Sequence, residues 1–143
     1  MEDQTQTSVR TPEDIAGLLK SRGVMPTQQR MIIARILFNP DQHLSADQVM
    51  KQVNEGRGHV SKATVYNTLG LFARKGLVRE VIVDPSRVFY DSNTSEHHHF
   101  YNIDSGELID IDSRSMAVDS LASLPSGTVL EDVDVIIRVR NAT

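Results

Sequence analysis

Ser61-Lys62-Ala63-Thr64-Val65-Tyr66-Asn67-Thr68-Leu69-Gly70-Leu71-Phe72-Ala73-Arg74-Lys75-Gly76 opens on a capping hydroxyl and closes on two cations and a glycine. Those are the start and stop signals of an α-helix. Val65, Leu69 and Phe72 stand at i, i+4 and i+7 and form its apolar stripe. Lys62, Ala63, Tyr66, Asn67, Gly70 and Arg74 make up the opposite face, which is small, polar and basic. Two β-rich runs follow, Leu77 to Val83 and Arg87 to Asp91, joined by Asp84-Pro85-Ser86. A proline-containing turn between two such runs predicts a hairpin.

Upstream, the chain predicts three short helices. Thr11-Pro12-Glu13-Asp14 supplies an N-cap, a first-turn proline and acids against the helix dipole. Ile15, Leu18 and Leu19 give that helix its stripe, and Gly23 ends it. A second helix starts near Thr27 and runs through Ile32, Ile33, Ile36 and Leu37 to Asn39-Pro40. Ser45-Ala46-Asp47-Gln48 is a capping box for a third, carrying Val49, Met50 and Val53, before a loop at Gly56-Arg57-Gly58. Three helices, a fourth with a small polar outer face and then a hairpin make the pattern of a winged helix-turn-helix. In that fold the fourth helix enters the major groove and the hairpin touches flanking backbone. Lys62, Arg74, Arg79 and Arg87 suit phosphate contacts.

Downstream, residues 92–96 read as a polar linker and hinge. Residues 1–91 are then a DNA-binding domain and 97–143 a small α/β domain, an α+β fold overall. The second domain predicts a strand at His97 to Ile103, a turn at Asp104-Ser105-Gly106 and a strand at Glu107 to Ile111. A helix at Ser113 to Leu124 and a strand at Leu130 to Arg140 follow. In the last strand Val133, Val135, Ile137 and Val139 alternate with Asp134, Ile136, Arg138 and Arg140. Three strands and one helix bury too little surface to stand alone. A second copy would complete them, and a dimer suits a palindromic DNA site.

Composition narrows the chemistry. The 143 residues are 39% hydrophobic, with a net charge of −4, and contain no cysteine. Disulfides, thiolate nucleophiles and Cys-based zinc sites are therefore excluded. The charge is unevenly spread. Residues 1–83 hold eleven basic and eight acidic side chains; residues 84–143 hold four and eleven. A basic half can meet phosphate, and an acidic half can hold cations. There is no HExxH, no Gly-rich phosphate loop and no nucleophile motif, so no enzyme is expected. The polar N-terminus and the lack of a long apolar run predict a cytoplasmic protein without membrane association.

Three histidines are consecutive in Glu96-His97-His98-His99-Phe100. On a strand, His97 and His99 share one side and His98 takes the other. Imidazole ligates iron, zinc and haem. Asp91 and Asp110 stand close to the cluster in sequence, and carboxylate with imidazole suits Fe(II), Mn(II) or Zn(II).

Five segments, in order, resemble the ferric uptake regulator superfamily. They are Pro26-Thr27-Gln28-Gln29-Arg30, His43-Leu44-Ser45-Ala46-Asp47, Ser61 to Leu69, Gly76-Leu77-Val78 and Glu96 to His99. Asn67 and His97-His98-His99-Phe100-Tyr101 look most like its iron response regulator branch in alpha-proteobacteria. The resemblance implies a homodimeric transcription regulator on a palindromic or AT-rich operator. By position, His43, Asp91, His98 and Asp110 match regulatory metal ligands. Arg30 matches a phosphate contact, and Tyr66 a residue touching base or sugar edges. Ser61, Lys62, Ala63, Thr64 and Asn67 complete the expected DNA face. In the iron response branch the triplet His97, His98 and His99 is implicated in haem binding. The chain departs from the superfamily in lacking its CxxC zinc site, the His that usually follows the triplet and a distal C-terminal His. The resemblance thus implies an iron-responsive repressor of iron and haem homeostasis genes, with haem sensed at the triplet. The alternative is an ordinary Fe-, Mn- or Zn-dependent repressor.

Overall fold

A computed structural model describes residues 10–56, 59–95, 97–112, 114 and 122–143. The chain divides into two compact units, Met1–Thr94 and Ser95–Thr143.

The first unit begins with α1 (Pro12–Ser21) and α2 (Gln28–Phe38), continues through β1 (His43–Ser45), α3 (Ala46–Glu55) and α4 (Lys62–Arg74), and ends in β2 (Arg79–Asp84) and β3 (Arg87–Asp91). Each helix starts on the hydroxyl the sequence offers. Thr11 and Ser45 form reciprocal capping boxes with Asp14 and Gln48, while Thr27 and Ser61 accept from the Arg30 and Thr64 amides. Gly23 and Gly76, both at φ 74°, turn the chain after α1 and α4. A side chain there would be strained, which is why glycine follows each helix. Arg10 braces the unit, donating to the Phe38 carbonyl and to Asp41.

The predicted stripe of α4 is the centre of the core. Val65, Leu69 and Phe72 are fully buried against Ile15, Leu19, Ile33, Leu37 and Val49. The Phe38 and Phe72 rings meet at 6.1 Å. The hairpin forms the wing, and its sheet has the order β1-β3-β2, all antiparallel. Strand β1 was not predicted. Three residues carry too little alternation to be read locally, and β1 exists because β3 offers an edge to pair with.

In the second unit β4 (His98–Asn102) is central, flanked by antiparallel β5 (Leu108–Ile111) and parallel β6 (Ile136–Val139). The strand predicted over Leu130 to Arg140 is shorter because β4 supplies partners only from His99 to Asn102. Its alternation persists beyond the ladder: Val133, Val135, Ile137 and Val139 are half-buried, while Asp134, Arg138 and Arg140 are exposed. Most of the helix predicted at Ser113 to Leu124 lies outside the described residues, and residues 122–124 are not helical. Met1 to Val9, Arg57, Gly58 and Glu96 also lie outside them. Among the described residues, no helix is long and apolar enough to cross a membrane.

Candidate metal centre and nucleic-acid interface

Pairing across the wing sheet sets His43 of β1 opposite Asp91 of β3. Asp91 is buried, and its Oδ2 lies 3.8 Å from His43 Nδ1. Its Oδ1 accepts the Asn93 amide at 2.9 Å, which fixes the carboxylate plane. The Phe89 ring stands edge-on to the His43 imidazole. Two of the expected ligands therefore meet within the first unit.

In the second unit, antiparallel pairing of β4 with β5 sets His99 opposite Asp110. His99 Nε2 and His97 Nε2 lie 3.2 and 3.5 Å from Asp110 Oδ1. Both imidazoles are buried, whereas the Asp110 side chain is half-exposed. Metal bonds of about 2.1 Å place neighbouring ligand atoms about 3.0 Å apart in an octahedron and about 3.4 Å apart in a tetrahedron. Those separations match the spacing found. His97 Nδ1 stands 2.7 Å from the Ser95 carbonyl. A carbonyl only accepts, so Nδ1 carries a proton, and Nε2 is the ring atom that faces Asp110. A carbonyl that fixes the tautomer of a histidine is the usual support behind a metal ligand.

His98 departs from the expected ligand set. It lies on the other face of β4, and its Nδ1 accepts the Val135 amide at 3.1 Å. Its ring proton therefore sits on Nε2, leaving no lone pair for an ion in this arrangement. His99, with His97, takes the place beside Asp110 that sequence position assigned to His98. The alternation rule separated the faces correctly; only the pairing of β4 with β5 reveals which face meets the carboxylate.

The outer face of α4 is as the sequence predicts. Lys62, Ala63, Tyr66, Asn67 and Arg74 are exposed, and Lys62 Nζ lies 5.9 Å from the centre of the Tyr66 ring. Ser61 and Thr64 cap the helix: Ser61 Oγ accepts the Thr64 amide and donates to Thr64 Oγ1. A cleft of about 600 Å³ between the start of α2 and α4 brings together Arg30, Thr64 and Asn67. The Arg30 guanidinium is held at its mouth by the Met25 carbonyl, 3.0 Å away. On the other side of α4 a second pocket holds Tyr66, Arg87 and Tyr90. Burial lifts the Tyr90 phenol above its ordinary range, with Glu80 and Tyr66 adding to it, so the group stays a neutral donor. Sequence reading did not single out Tyr90.

The profile of the ferric uptake regulator family matches residues 21–137. The peroxide-responsive repressor PerR of Staphylococcus epidermidis is 35% identical over 98 residues, which are 68% of this chain and 65% of that protein. The chain thus spans about two thirds of the length of the curated relative it matches. Among solved structures, the ferric uptake regulator of Pseudomonas aeruginosa with manganese superposes with a TM-score of 0.68 at 26% identity, covering 90% of this chain and 98% of that one. The ferric uptake regulator of Vibrio cholerae gives 0.71 at 22% identity over 88% and 98%, a likeness of fold.

Proposed function

Because the chain belongs to the ferric uptake regulator family, we propose that it is a divalent-metal-responsive, DNA-binding repressor that works as a cytoplasmic homodimer. Members of this family are transcription regulators, not enzymes. The observation that carries the metal part is the trio His99, His97 and Asp110, with the two Nε2 atoms 3.2 and 3.5 Å from Asp110 Oδ1. The Ser95 carbonyl accepts from His97 Nδ1 and so holds Nε2 as the atom that faces the carboxylate.

His43 and Asp91 remain a proposed ligand pair within the first unit; within the second, Asp110 keeps its proposed place and His97 and His99 replace His98. Two imidazoles and a carboxylate are the donor types of Fe(II), Mn(II) and Zn(II), and a bound ion would supply positive charge and fixed geometry there. Metal is proposed to favour the DNA-competent state of the protein. DNA affinity then rises with metal by linkage. Arg30, Ser61, Lys62, Ala63, Thr64, Tyr66 and Asn67 form the proposed DNA face, with Asn67 suited to an adenine edge on a palindromic or AT-rich operator.

The test is binding of an AT-rich palindromic duplex by metal-loaded and chelator-treated protein. Binding that follows the metal supports the repressor; equal binding in both states shows that DNA binding does not depend on metal.

Haem sensing at His97, His98 and His99, with membership of the iron response branch and control of iron and haem genes, is the finer alternative. It rests on the run of three imidazoles. The engagement of His98 Nδ1 with Val135 and the burial of His97 and His99 favour a cation instead. A haemin titration separates the two: a saturable Soret shift lost in a His97/His98/His99→Ala variant favours haem. The staphylococcal relative is by name peroxide-responsive, which makes peroxide a further candidate signal for an Fe(II)-loaded form.

A further inference from the structure

We propose that the pocket between the recognition helix and the wing seats one phosphate of the DNA backbone, with the buried phenol of Tyr90 donating to it. The proposal rests on the reading of the first unit as a DNA reader and names a contact within it. The pocket measures about 400 Å³ and is lined by the first turn of α3, Tyr66 of α4, Ser86 and Arg87 of the wing, and Tyr90.

Tyr90 is 9% exposed and its ring belongs to the hydrophobic core. Among the described residues, no group shares a hydrogen bond with its hydroxyl. Nor, among them, is any polar side-chain atom both sealed from solvent and without a partner. The hydroxyl is therefore the part of Tyr90 that reaches the pocket. A hydroxyl that opens on a pocket without a protein partner is available to donate to whatever occupies it.

The rest of the lining has the chemistry of an anion seat. Ser45 Oγ and Gln48 Oε1 satisfy each other's amides at the start of α3. The amides of Ala46 and Asp47 have no intrahelical acceptor and form the positive end of the helix dipole. Arg87 adds a full positive charge from the wing, which offsets the exposed Asp47 carboxylate on the same rim. The position selects a backbone phosphate over a free anion. Tyr66 lies on the exposed face of α4 that faces DNA, and a wing contacts the strand flanking the major groove. The cleft holding Arg30 lies on the opposite side of α4. A polar cleft on each side is what a helix between two phosphate walls requires.

The full chain, loaded with Mn(II), is titrated into a fluorescein-labelled AT-rich palindromic duplex at several salt concentrations. Tyr90→Phe keeps the core ring and removes the hydroxyl alone. It is expected to weaken binding about tenfold. The dependence on salt stays unchanged, because the lost donor is neutral. Arg87→Gln, an exposed substitution that leaves the core intact, lowers the salt slope by about one. Wild-type affinity in Tyr90→Phe overturns the proposal and leaves the DNA reading standing. A wild-type protein that binds no duplex overturns both. A phosphorus-31 titration with inorganic phosphate covers the other source. Phosphate binding lost in Tyr90→Phe, with duplex affinity unchanged, overturns the DNA backbone as the occupant.

Discussion

His99 Nε2 lies 3.2 Å from Asp110 Oδ1 across the antiparallel pair β4 and β5, while the neighbouring His98 turns to the other face and accepts the Val135 amide. Adjacent residues with the same side chain thus receive opposite roles from the pleat of one strand. Asp110→Asn, His97→Ala or His99→Ala should lower Mn(II) affinity by about 10–100-fold or more, since even supporting partners of ligands are worth that much. His98→Ala should leave it nearly unchanged. Calorimetric titration of the four variants reads the difference directly, and a His98 effect equal to that of His99 would restore the ligand set assigned by sequence position.

The core of the first unit depends on the inner face of α4. Leu69→Ala removes a fully buried side chain and should cost about 2–5 kcal/mol. Urea unfolding of the first unit's helices measures it, and a cost below about 1 kcal/mol would mean the core relaxes around the cavity.

Local helix signals give smaller effects of both signs. Ser45→Ala breaks the reciprocal cap of α3 and should cost about 1 kcal/mol. Gly17 lies exposed within α1, and a Cβ built there meets nothing within 4 Å. Gly17→Ala should therefore stabilise by about 0.5–1 kcal/mol. Paired thermal scans should move in opposite directions for the two variants.

Acid should fray α1 through its cap. The Thr11 amide, then the Thr11 hydroxyl, hold the Asp14 carboxylate below its ordinary range. A lowered folded-state pKa contributes stability that is present above the ordinary value, about pH 4. That contribution is lost as pH falls through the lowered folded value. Protection from amide exchange in the first turn of α1, relative to an unstructured chain at the same pH, should fall below about pH 4, and Asp14→Asn should abolish that step. An unchanged acid response in the variant would contradict it.

The helix caps at Thr11, Thr27, Ser45 and Ser61, and the buried stripe of Val65, Leu69 and Phe72, follow from residue order because they are local and periodic. What escaped is long-range. Strand β1 forms only where β3 provides an edge, yet it brings His43 to Asp91. The alternation of the histidine triplet is likewise local, but the choice of face depends on β5. The tautomer that withdraws His98 depends on a backbone amide from the far end of the unit. Tyr90 gave no signal because a tyrosine in an apolar strand reads as core, and only the position of its hydroxyl distinguishes it.

Anisotropy of a labelled AT-rich palindromic duplex, titrated with wild-type protein and with His99→Ala under Mn(II) or chelator, tests the central claim of metal-dependent DNA binding. Tight, salt-sensitive binding by wild type in Mn(II), loss of that binding on chelation, and a weak, metal-indifferent response from His99→Ala are expected. Equal affinity of both proteins under both conditions would contradict it.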